Sequence, residues 1–331
     1  MTRFAAVDCG TNSIRLLISD IQDADGFLEI TELHRVMEIV RLGEGVDATG
    51  RLSDAALERV EAALTRYAEL MEREKVEAVR MVATSATRDA SNREAFFSMT
   101  RRVLQQWNVE TEVISGAEEA ALSFRGAVDD LDPELEPYCV IDVGGGSTEV
   151  IIGNHDGEVA GAASVPMGSV RLTERFLHDS PPTEEQVSAA REYVAKQLRE
   201  VSEHVPVAAA RTIVGCAGTF TTLSALAQGL ETYDPTAIHL STLHFAALRA
   251  LNSSVLQTDA QSLASNPVMH PGRADVFAGG VTIVDGLIDM FTESAKANGR
   301  ADDSTALTFH ISEKDILDGI VAGLVDKHMP H

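Results

Sequence analysis

The chain has 331 residues, 44% hydrophobic and 24% charged, a globular composition that excludes a disordered or fibrous protein and predicts about two domains. Asp and Glu number 51 against 27 Lys and Arg, a formal charge of −24 that repels nucleic acid backbones and anionic membranes and argues against both as partners. No run of about 18 apolar residues is present to span a bilayer, no secretory leader opens the chain, and Cys9, Cys139 and Cys216 are too few and too scattered for a disulfide framework or zinc cluster, so a reducing cytoplasm is expected.

In chain order, Phe4 to Val7 reads as a strand, Asp8-Cys9-Gly10-Thr11-Asn12-Ser13 as a tight turn, and Ile14 to Ile18 as a second strand. Ser53 to Glu72 carries Leu57, Val60, Leu64, Tyr67 and Met71 at helical spacing, with Ser53 as N-cap. A strand is predicted at Val79 to Ala83, a helix at Asn92 to Trp107, and a strand end at Val113-Ile114 that leads into a helix through Arg125. Asp129 to Pro137 is acidic, holds two prolines and is the best linker. Val140-Ile141 then enters a glycine turn, and Glu149 to Ile152 continues as a strand. Helices follow at Thr183 to His204 and Gly218 to Ala227, with a strand at Thr212 to Val214 between them. A long apolar helix is predicted from Ala274 to Met290, and a last amphipathic helix, about Glu313 to Lys327, is expected to pack back on the first domain. Alternating strands and helices predict an α/β architecture. The unit strand, Asp-x-Gly, hydroxyl residues, strand occurs twice, which suggests two related domains with a cleft between them.

Three segments carry the strongest chemical signals. In Asp8-x-Gly10-Thr11-Asn12-Ser13, glycine admits close backbone approach to an anion, and the N–H and hydroxyl groups can cradle phosphate oxygens. Asp8 there suits a hydrated metal or a positioned water; the plain alternative is a hairpin turn. Asp142-x-Gly144-Gly145-Gly146-Ser147-Thr148-Glu149 is more specific, because a hairpin does not need three glycines and because its flanking carboxylates suit a largely hydrated Mg²⁺. Ser115-Gly116-Ala117-Glu118-Glu119 puts two acids at a helix start, pointing about 100° apart, so only one can face a site and the other must cap or pair. Dipole stabilisation is the simpler reading of that pair. Thr84 to Asn92 offers hydroxyls and Arg88 for a phosphate. Gly215-Cys216-Ala217-Gly218-Thr219 is a weaker glycine turn, placed for the far side of a cleft, and Arg171 and Arg273 follow glycine turns as substrate contacts.

Together, AAVDCGTNSIRLLI, VATSATRDASN, VISGAEEAALSFRGA, VIDVGGGSTEVIIG, VPMGSVRLTE and VGCAGTFTTLSAL, in this order, resemble the exopolyphosphatase / guanosine pentaphosphate phosphohydrolase (Ppx/GppA) family of the actin-like ATPase superfamily. The resemblance implies two actin-like, ribonuclease H-like domains with a central interdomain cleft: domain I at 1–128, domain II at 129–310, and a helix at 311–328 returning to domain I. It implies that Glu119 is the general base that activates the attacking water and that Arg88 contacts the substrate phosphate. Asp142 and Glu149 are the implied ligands of Mg²⁺, or of Mn²⁺ in its place. The phosphate cradles are Asp8, Gly10, Thr11, Asn12 and Ser13 on one side and Gly144, Gly145, Gly146, Ser147 and Thr148 on the other, with Arg171, Gly215, Gly218 and Thr219 as further contacts. The implied reaction is release of the terminal phosphate of inorganic polyphosphate, with guanosine pentaphosphate as the alternative substrate and a kinase or a non-catalytic sensor as more distant ones. The chain ends without the C-terminal extension of the longest relatives, which shifts the expectation to short polyphosphate chains; a homodimer stays open. The acidic balance is compatible with this, because exposed charge is screened beyond roughly 8 Å at physiological salt and because 22 of the 27 basic residues are arginines suited to forked phosphate contacts.

Overall fold

The computed structural model describes residues 2–24, 27–300 and 307–329. The chain forms two compact units, Met1–Gly126 with Ile316–His331, and Ala127–Asp315.

Unit 1 is built on a five-stranded sheet in the order β3-β2-β1-β4-β5, from β1 (Thr2–Cys9), β2 (Ser13–Ala24), β3 (Phe27–Ile39), β4 (Ala78–Ala83) and β5 (Glu112–Val113). The first three form an antiparallel meander; β4 runs parallel to β1, and β5 parallel to β4. Its helices are α1 (Val46–Thr49), α2 (Asp54–Arg73), α3 (Ser85–Asp89), α4 (Arg93–Val103), α5 (Gly116–Ala127) and α13 (Ile316–His328). Strand β1 is buried on both faces, which is why it reads as a continuous apolar run rather than an alternation. Ala5, Val7 and Cys9 share a core with Val60, Leu64, Tyr67 and Met71 of α2. Phe4 and Ala6 share the opposite core with Ile320, Val321 and Leu324 of α13. Ser53 caps α2 by accepting from the Ala56 N–H at 3.2 Å. The sequence pattern did not disclose β3, because this edge strand is half exposed and its acids Glu29 and Glu32 break the alternation.

Unit 2 repeats the plan in the order β10-β11-β9-β6-β7-β8, from β6 (Tyr138–Val143), β7 (Thr148–Gly153), β8 (Val159–Val165), β9 (Thr212–Cys216), β10 (Thr242–His244) and β11 (Thr308–Ile311). Again a meander of three antiparallel strands is followed by a strand parallel to its first member. Its helices are α6 (Ser169–Phe176), α7 (Glu184–His204), α8 (Ala217–Ala227), α9 (Pro235–Ile238), α10 (Phe245–Leu256), α11 (Ala260–Ala264) and α12 (Phe277–Ala297). The Phe309 ring centres the core, 4.9 Å from Phe220 and 4.8 Å from Phe245. The last helix starts at Ile316 rather than at 311, since Phe309 and Ile311 are buried in β11 as the parallel neighbour of β9. Unit 2 therefore reaches Asp315.

The two passages of chain that bound unit 2 are tied together inside it. Lys314 Nζ lies 2.7 Å from Asp129 and 2.8 Å from Asp130. His239 Nε2 pairs with Asp130 at 3.0 Å, while its Nδ1 accepts the Glu313 N–H at 3.2 Å.

Candidate active site

Each unit carries a hairpin of one design. Asp8 faces Arg15 across β1 and β2, and Asp142 faces Glu149 across β6 and β7, each pair seven residues apart in sequence. Each loop closes with the same bond, Gly10 N–H to Ser13 O at 2.9 Å and Gly144 N–H to Ser147 O at 3.1 Å.

The loop carbonyls are engaged from behind. In unit 1 the Gly43 N–H donates to Thr11 O at 2.8 Å, and the Val40 and Arg41 N–H groups donate to Asn12 O. Arg41 adopts a left-handed conformation, φ 49°, to do so. In unit 2 the Ser169 N–H donates to Gly144 O, the Val170 and Arg171 N–H groups to Gly145 O, and Arg171 Nε to Gly146 O at 2.8 Å. A trans peptide points its C=O and the next N–H in opposite directions. The amides of Asn12 and Ser13, and those of Gly145, Gly146 and Ser147, therefore face away from these braces, as an anion cradle requires.

Further polar groups gather around the unit 1 loop. The Thr11 and Thr87 hydroxyls and Asn12 Oδ1 are buried without a protein hydrogen-bond partner, which leaves them available to a ligand or an ordered water. Arg88, at the end of α3, donates from one nitrogen to Ile114 O at 2.9 Å and to Glu119 Oε2 at 3.0 Å. Glu119 is buried, whereas Glu118 is exposed and pairs with Arg80 at 2.7 Å. The adjacent acids thus divide as helix geometry demands. Asp8 is buried and receives Arg15 Nε at 3.0 Å and a second guanidinium nitrogen at 2.7 Å, both on Oδ2. Burial and the neighbouring Asp8 carboxylate push the Cys9 thiol well up.

In unit 2, Asp142 and Glu149 are both buried, and Glu149 accepts from the Ser164 hydroxyl at 2.7 Å. Two such oxygen donors in direct cross-strand register fit a hard divalent cation that keeps most of its waters. Among the described residues, no three of His, Cys, Asp or Glu converge as a complete ligand set. The Thr148 hydroxyl turns back to Met167 O, which makes it a brace for the hairpin. Thr219 is buried near the start of α8, packed where a side chain on Gly280 would stand. Gly215 and Gly218 have packing reasons: a Cβ on Gly215 would lie 2.5 Å from the Phe220 ring, and one on Gly218 would lie 2.2 Å from the Arg273 guanidinium. Arg273 donates to Gly218 O and to the Thr222 hydroxyl, so it too acts as a strut. The bracing segment 40–43 escaped the sequence reading; the signal was the glycine-rich run Arg41-Leu42-Gly43-Glu44-Gly45 directly after a long strand.

The model of the Ppx/GppA phosphatase family matches residues 17–298. The chain belongs to the Ppx/GppA phosphatase family. Exopolyphosphatase 2 of Mycobacterium tuberculosis is 49% identical over 326 residues, covering 98% of this chain and 99% of that protein. The crystal structure of an exopolyphosphatase-like protein is 39% identical with a TM-score of 0.91, covering 98% of this chain and 99% of that one. The Aquifex aeolicus Ppx/GppA family member is 31% identical with a TM-score of 0.76, covering 100% and 99%. The α/β class and two actin-like, ribonuclease H-like units hold for this Ppx/GppA chain. Among its described residues, no helix is long and apolar enough to cross a membrane.

Proposed function

We propose that this Ppx/GppA protein is an exopolyphosphatase, a phosphoric anhydride hydrolase that cleaves the terminal phosphoryl group of inorganic polyphosphate and releases orthophosphate. The pairing of Glu119 with Arg88 carries the reading: one guanidinium fixes a buried carboxylate at a helix start in the unit that also holds the Asp8–Ser13 loop. The name of the 49% identical relative supports the same activity.

Phosphoryl transfer rests on positioning and charge neutralisation. The Asp8–Ser13 and Gly144–Ser147 loops are assigned to the phosphate oxygens, Arg88 to the transferring group, and Glu119 to the proton of the attacking water. Arg171 and Thr148 are positioning residues that hold the glycine loop, and Gly215, Gly218 and Thr219 shape the start of α8. Asp142 and Glu149 would hold Mg²⁺, or Mn²⁺ in its place, which supplies charge neutralisation at the phosphate oxygens when bound.

Phosphate release is to be compared for tripolyphosphate, long polyphosphate, guanosine pentaphosphate and ATP with Mg²⁺. Release from polyphosphate well above the other substrates is expected. Release from guanosine pentaphosphate in preference to both polyphosphates, or no release at all, overturns the reading.

A further inference from the structure

We infer that Thr84 is a substrate contact, its hydroxyl donating a hydrogen bond to an oxygen of the transferred phosphoryl group. This inference rests on the reading of the chain as an exopolyphosphatase. Strands β1, β4 and β5 run parallel, with Cys9, Ala83 and Val113 in one row across them. Ligands of open α/β sheets bind beyond the carboxyl ends of such strands. After β1 comes the Gly10 turn, after β5 the passage from Ile114 to Glu119, and after β4, the strand between them, Thr84.

The backbone here is tied on both sides. The Thr84 N–H donates to Cys9 O at 3.3 Å, its O accepts the Arg88 N–H at 2.9 Å, and the Ile114 N–H donates to the preceding Ala83 O at 3.2 Å. The Thr84 side chain is not tied. It holds the N-cap position of α3, where a threonine hydroxyl ordinarily accepts a bond from its own helix. It makes no such bond and, among the described residues, no other. The residue is nonetheless only 5% exposed. A hydroxyl so buried is costly unless something bonds it. It stands against the phosphate loop, where a Cβ on Gly10 would lie 3.9 Å from Thr84 Oγ1. In that loop Thr11 and Asn12 also keep buried polar atoms without a protein partner. A threonine hydroxyl can donate to a phosphate oxygen and still accept from water. Thr84 thus adds a donor from β4, with the loop beside it and Arg88 one helical turn further on.

Thr84→Val keeps the shape and removes the hydroxyl; Thr84→Ser keeps the hydroxyl and removes the methyl. For phosphate release from tripolyphosphate, kcat/KM should fall roughly 10- to 100-fold in Thr84→Val and by no more than about threefold in Thr84→Ser. Thr84→Ala removes the same hydroxyl and replaces Thr84→Val if circular dichroism shows that variant misfolded. Wild-type turnover in Thr84→Val overturns the inference. A loss in Thr84→Ser as large as in Thr84→Val also overturns it, because the residue then acts by packing. A wild-type chain that binds tripolyphosphate in a calorimetric titration but releases no phosphate from it overturns the proposed activity alone. Thr84→Val should then bind tripolyphosphate more weakly than wild type, and equal affinity overturns the inference. A wild-type chain that neither binds nor cleaves tripolyphosphate overturns both.

Discussion

The two hairpin loops share length and register but are braced by different parts. In unit 1 the extended segment 40–43 takes the carbonyls of Thr11 and Asn12; in unit 2 the first turn of α6, with Arg171, takes those of residues 144–146. The closeness of approach differs in kind. A Cβ on Gly168 would lie 2.3 Å from the Gly145 carbonyl carbon, whereas one on Gly43 would lie 2.2 Å from the Thr11 methyl. A methyl can turn to another rotamer, but a packed backbone cannot. A side chain on Gly168 must therefore shift backbone, whereas one on Gly43 first meets a side chain.

Glu119→Gln tests the largest consequence of this division. Both braces should survive, with circular dichroism and tripolyphosphate affinity retained, while kcat for phosphate release falls about 10²- to 10⁴-fold. Unchanged turnover would remove Glu119 from the role of base. Gly168→Ala comes next. It must displace the tri-glycine backbone, and kcat/KM should drop on the order of 10²-fold, as expected for a misplaced cradle. Gly43→Ala should cost less than Gly168→Ala, because the atom most in its way is a side-chain methyl rather than packed backbone. Equal losses in the two alanine variants would erase the contrast between the braces.

Two smaller effects lie outside the loops and serve as controls. Burial opposes ionisation of Asp130, but the Lys314 hydrogen bond and charge, helped by His239, prevail and hold its carboxyl below the usual range. Its contribution to stability is complete above the ordinary carboxylate pKa of about 4 and fades as pH falls through the lower folded value. Thermal melts of Lys314→Met should accordingly show a shallower loss between about pH 5 and pH 2 than wild type. Finally, burial pushes the thiols of Cys9 and Cys139 well up, and Cys216 is buried as well. No thiol should react with a disulfide reagent in the native state; rapid labelling would show that these strands open.

The repeated Asp-x-Gly hairpin was legible because glycine and carboxylate are rare together at the end of an apolar strand, and because α2 announced itself by period and cap. The bracing was not. Arg171 and Arg273 follow glycine turns that look like ligand loops, and neither turn announces that each also donates to a backbone carbonyl. Gly215 and Gly218 resemble phosphate glycines, yet their missing side chains make room for Phe220 and Arg273. A glycine's local sequence records that space is needed; only the tertiary neighbours say for what. Edge strands β3 and β8 were hidden for a related reason, since their exposed faces dilute the two-residue period.

The return of α13 to unit 1 also sets a timetable. Phe4, Ala6, Leu17 and Ile21 form a sheet face whose cover is α13, beyond the whole of unit 2 in the chain. A ribosome adding roughly 5–20 residues per second needs on the order of 10–40 s to make the intervening stretch of about 190 residues. Throughout that interval the nascent first unit shows an apolar, unfinished side to its surroundings. A chaperone that shields this face during synthesis should therefore raise the yield of folded protein.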